Sequence, residues 1–156
     1  MLIITKRQPE PVRLPDGVVL HISRFSQVDW DAAENRVIAN LARAKDSEEV
    51  SARYGLRPSQ LESFAMPGGG VRIGDAALAI ELGIDLIESW EGVGVELPKA
   101  EDAPPDAPPE FKRAEVTPEH IVLVMNERAD AHGSFASLFL AELRKRRSLG
   151  RAEGNV

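Results

Sequence analysis

The chain has 156 residues, 43% of them hydrophobic, enough for one ordinary domain with a real core. Its 19 Lys and Arg against 25 Asp and Glu leave a net charge of −6, which argues against sequence-independent nucleic-acid binding, because that needs positive charge to replace phosphate counterions. The absence of Cys excludes a disulfide framework, a Cys–zinc or iron–sulfur site and a Cys nucleophile, three His leave little for a metal centre, and no apolar run approaches the roughly 20 residues of a membrane helix.

The opening MLIITKRQPEP is too short in its apolar part for a signal peptide and lacks a small-residue cleavage site, so a soluble cytoplasmic protein is expected. Leu2-Ile3-Ile4 reads as a short strand. Val12-Arg13-Leu14 and Val18-Val19-Leu20-His21-Ile22 flank Pro15-Asp16-Gly17, a hairpin signal because Gly tolerates the positive φ of tight turns. Ser26-Gln27-Val28-Asp29 has the form of a capping box, and Trp30, Ala33, Val37 and Leu41 then mark one helical face. That helix runs to about Ala44 or restarts through Ser47 to Val50, and Gly55 ends it. A short helix from Arg57-Pro58-Ser59 through Phe64 is stopped by Pro67 and three glycines.

From Gly74 the spacing predicts the most buried helix. Ala77, Ile80, Ile84 and Ile87 form one stripe, and Leu78, Leu82, Leu86 and Trp90 a second, with Gly92 and Gly94 beyond its end. Residues 98–112, rich in Pro, Ala and acids, read as an extended or disordered loop. Thr117-Pro118-Glu119 starts a helix with Ile121, Val124, Met125 and Arg128 on one face and His132-Gly133 at its end. Ser134 caps a last helix with Phe135, Leu138, Phe139 and Leu143 inward. Strands followed by helices predict an α+β fold: a hairpin or small antiparallel sheet with helices over 1–97, the loop, two further helices on the same core over 113–150, and a frayed tail over 151–156.

Motifs for chemistry are sparse. Gly69 and Gly74 have P-loop spacing, but Asp75-Ala76 stands where Lys and a hydroxyl residue are needed, so Asp75 reads as a helix cap. His120, Asp130 and His132 lack metal-ligand spacing, and no cofactor is implied. Glu88 and Glu91 read as a solvated face rather than a paired acid and base. No Ser lies in G-x-S-x-G. Arg144-Lys145-Arg146-Arg147, without interleaved aromatics, reads as cations at a helix C-terminus rather than a nucleic-acid patch. Trp90 is either core or an exposed recognition anchor.

Taken in order, Pro15-Asp16-Gly17, the aromatic-bearing acidic helix from Val28-Asp29-Trp30 to Ala42-Arg43, the W-x-G-V element Trp90-Glu91-Gly92-Val93, Thr117-Pro118-Glu119 and the polar end Glu153-Gly154-Asn155 resemble small tail-assembly chaperones of tailed bacteriophages and prophages. The resemblance spans roughly two-thirds of the chain. It implies a protein without catalysis or cofactor, acting in the bacterial host cytoplasm. Such a chaperone coats the long helical tape-measure protein, helps tail-tube subunits assemble, and leaves before the particle is finished. Trp90, Phe135 and Phe139 are then the candidate partner-binding residues, though each is a core candidate first. A minor tail or head–tail protein retained in the particle is the alternative; a small hydrolase or nucleotide-binding enzyme is a third, without a motif behind it.

Overall fold

The computed structural model describes residues 1, 8–42, 48–61, 74–129 and 133–154, with the side chains at 58, 61 and 148–154 not described. The fold is α+β, as the order of strand and helix signals predicts. Strands β1 (Glu10–Arg13) and β2 (Val19–Ile22) form an antiparallel hairpin in which Val12 faces Leu20. Its turn is Pro15-Asp16-Gly17, with Asp16 at φ 60 and Gly17 at φ 75, closed by the Leu14 amide donating to the Val18 carbonyl at 2.8 Å. Asp is among the few side-chain-bearing residues that enter this region readily, and Gly enters it without penalty. The Leu2-Ile3-Ile4 strand, the triple glycine and His132 fall outside the described residues.

Helix α1 (Gln27–Ala42) opens on the anticipated box: the Ser26 amide donates to Asp29 Oδ2 at 2.7 Å and the Asp29 amide returns a bond to Ser26 Oγ at 3.4 Å. Trp30, Ala33, Val37 and Leu41 are its buried residues. Helices α2 (Glu48–Tyr54) and the short α3 (Pro58–Leu61) follow. Helix α4 (Asp75–Leu86) is the centre of the molecule, packing against α1 and against α5 (Pro118–Met125) and α6 (Phe135–Gly154). Its N-cap is Gly74, without a side-chain capping bond, so Asp75 is a first-turn acid and not the cap itself.

The main departure from the sequence reading lies at 87–91. The helical stripe ends at Leu86, and Ile87–Glu91 becomes strand β3, added antiparallel to β2 so that the sheet order is β1-β2-β3. Ile22 pairs with Ile87 and His21 with Ser89, leaving Glu88 as an extra, bulged residue. The bulge puts Ile87 and Trp90, three positions apart, both into the core. A spacing of three or four is also the helical signature, so the pattern is shared by both states and the open edge of β2 decides between them.

The chain then turns at Gly92 into a separate two-stranded ribbon, β4 (Gly94–Glu96) paired with β5 (Phe111–Arg113). The Pro-acidic segment is the tip of this ribbon: the Leu97 amide donates to the Glu110 carbonyl at 2.8 Å, with turns at 100–103 and 104–107. Helix α5 is capped by Thr117, whose Oγ1 accepts from the His120 amide at 3.2 Å, but it stops at Met125. Arg128 instead bridges Ser134, so the helical face does not extend to 128. Ser134 caps α6 as the sequence predicts, its Oγ accepting from the Ser137 amide at 3.1 Å, and the helix continues to Gly154, through the predicted frayed stretch.

Candidate functional site

Trp90, Phe135 and Phe139 are 1%, 3% and 0% exposed, which places all three in the core. Trp90 acts as an internal staple: its Nε1 donates to the Ala114 carbonyl at 2.8 Å, the Ala114 amide donates to the Val93 carbonyl at 2.9 Å, and the Arg113 guanidinium donates to the Trp90 carbonyl. These bonds hold the β4–β5 ribbon against the main sheet. A fully buried indole with its N–H satisfied serves packing rather than recognition. Phe139 belongs to the same buried core as Leu140 and Leu143 of α6. Phe135 also stands among the residues lining a groove.

That groove lies between the ribbon and α5 and has a volume of about 360 Å³. Val93, Gly94 and Val95 come from the ribbon, and His120, Leu123, Val124 and Glu127 from α5 and its end. Val18, Ala114 and Phe135 add further apolar surface, and Asp16 reaches it from the hairpin turn. Most of the lining residues are apolar, joined by Asp16, His120 and Glu127. Leu123 is 68% exposed on α5 although its neighbours Val122 and Val124 are buried. A single exposed leucine is ordinary, but one continuous with an apolar cleft extends a patch. A neighbouring hollow carries Phe111, 65% exposed, with Lys112, Arg113 and Glu91. The sequence reading missed the groove because its walls come from segments far apart in the chain. The one available signal was Leu123, an apolar residue outside the helical stripe.

Gly92 fixes the groove's geometry. It sits at φ 78, and a Cβ there would lie 2.3 Å from the Gly17 carbonyl oxygen. The hairpin turn and the ribbon therefore approach backbone to backbone at this point.

A second cluster was not foreseen. Glu81, on α4, is 0% exposed. Arg53 Nε donates to its Oε1 at 2.6 Å and Arg36 Nε to its Oε2 at 3.0 Å, while the Tyr54 hydroxyl donates to Oε1 at 2.9 Å. Arg36 also pairs with Asp85, and Asn40 Nδ2 donates to the Tyr54 hydroxyl at 2.9 Å. Burial pushes the Glu81 carboxyl up, but the hydrogen bonds from Arg53, Arg36 and Tyr54 outweigh it and hold the group below its ordinary value. Burial likewise pushes the Tyr54 phenol up to about 12. The carboxylate has its lone pairs engaged and no solvent access, so it ties α1, α2 and α4 together and offers nothing to a substrate.

The other sequence candidates separate. Glu88 and Glu91 are exposed, a solvated face as the sequence predicts, but on strand β3 just past the end of α4. His120 Nδ1 is 2.7 Å from the Glu115 carbonyl oxygen at the start of α5. The basic run 144–147 lies inside α6 rather than at its C-terminus, which removes the helix-dipole reading. Arg147 and Arg144 lie over the Trp30 ring at 4.3 and 5.8 Å, and Arg146 donates to the Pro11 carbonyl at 2.8 Å. This run therefore fastens α6 to α1 and β1. Among the described residues no group of three or more His, Cys, Asp or Glu is arranged to hold a metal, and no helix is long and apolar enough to cross a membrane. Compared with family models, curated proteins and solved structures, the chain matches none.

Proposed function

We propose that the protein is a non-catalytic binding protein that shields an apolar segment of another chain, in the manner of a phage or prophage tail-assembly chaperone acting in the host cytoplasm. The observation that carries the reading is the apolar groove between the β4–β5 ribbon and α5, continuous with the exposed side chain of Leu123. A long helical partner such as a tape-measure protein exposes apolar stripes before assembly, and a groove of this kind covers a few side chains of such a stripe at a time. The net charge of −6 keeps the free protein soluble while the groove stays open.

The test is affinity capture of the tagged chain from producing cells, read by mass spectrometry beside purified particles. Recovery of a very long, helix-rich protein, with this chain missing from the particles, is the expected result. The chain at fixed stoichiometry in finished particles would replace the chaperone reading with a structural one. Finding neither would remove the phage assignment.

A further inference from the structure

We infer that the groove selects a cationic partner: its occupant is an amphipathic helix whose apolar stripe is flanked by lysine or arginine. This rests on the docking reading above and adds the partner's chemistry to it. Two carboxylates, Asp16 from the hairpin turn and Glu127 from the end of α5, stand among the lining residues, and no Lys or Arg does. Both carboxylates belong to exposed residues, so they meet an incoming charge at the rim without a large desolvation cost. Val93, Gly94 and Val95 of the ribbon form one wall of the groove. The long helical partner of the docking reading brings its apolar stripe to this wall with its own backbone groups already satisfied. A like-charged acidic helix would bring its carboxylates against Asp16 and Glu127 and be rejected.

The test uses two synthetic helical peptides with the same leucine stripe, one with lysine and one with glutamate at the flanking positions, titrated into the full chain by fluorescence anisotropy. The lysine peptide should bind about tenfold more tightly or better. Asp16→Asn with Glu127→Gln keeps the turn geometry, since Asn also tolerates positive φ, and should weaken the lysine peptide about fivefold, in line with two rim charge pairs. Asp102→Asn with Asp106→Asn, the same charge change in the distant ribbon tip, should leave binding nearly unchanged. Equal affinity for the two peptides, or equal effects of the two double variants, would overturn the charge inference. If Leu123→Asp nevertheless weakened both peptides, the docking reading would stand without it. Binding of both peptides unaffected by Leu123→Asp, or binding of neither, would overturn the docking reading and the inference together.

Discussion

Glu81 holds three helices through one carboxylate. A buried charge is tolerated only when its partners offset the loss of water, and here two guanidiniums and a phenol do so. Replacing it with Ala should lower the unfolding free energy by about 3 kcal/mol, the lower end for a broken buried pair. The lower end applies because the Arg36 and Arg53 side chains are 38% and 39% exposed and can be rehydrated. The pH dependence has a definite sign. The folded carboxyl lies below its ordinary value, so its contribution is present above the unfolded pKa and is lost as pH falls through the folded one. Urea unfolding followed downward from about pH 5 should therefore show a steep acid loss in the natural protein and a shallower one in Glu81→Gln. Parallel acid limbs would mean that Glu81 does not titrate with unfolding. Nothing in the sequence marks Glu81 for this role. It is one of 25 acids, and its partners lie 27 to 45 positions away.

At the scale of elements, the join between the hairpin turn and the ribbon is the point most sensitive to a single methyl group. Gly92→Ala forces a side chain into positive φ and against the backbone of Gly17, so a loss of about 2 kcal/mol or more is expected. Gly17→Ala has the same kind of φ but open space around its Cβ, and should cost only about 1 kcal/mol. Thermal unfolding of the two variants compares close approach with conformation alone, and equal losses would show that the seam yields. Local chemistry made several boundaries legible: the Ser26–Asp29 box, the Thr117-Pro118 start, the Ser134 cap and the Asp16-Gly17 turn each satisfy backbone groups within a few residues. What was not legible is long-range. Residues 87–91 continue a helical stripe perfectly well, and only pairing with β2 makes them a strand. The β4–β5 ribbon has three-residue strands 15 positions apart, too short and too widely separated for periodicity to register.

The whole molecule divides its polar and apolar resources between holding itself together and leaving one face open. The three aromatic residues proposed from sequence as binding anchors all went to the core, where large side chains contribute most. The basic run went to the α6–α1 and α6–β1 contacts. Exposed apolar side chains remain at Leu123, beside the groove with Val93 and Val95 half-buried in its lining, and at Phe111 in the neighbouring hollow. Partner binding is proposed at this groove. Hydrogen–deuterium exchange on the chain, free and in complex with the long helical protein recovered by capture, locates the binding surface. Slower exchange on binding is predicted at the amides of residues 93–97 and 120–127, with little change along α1 and α2. Protection confined to α1 and α2, with the ribbon and α5 unchanged, would place the partner elsewhere and rule out docking in the groove.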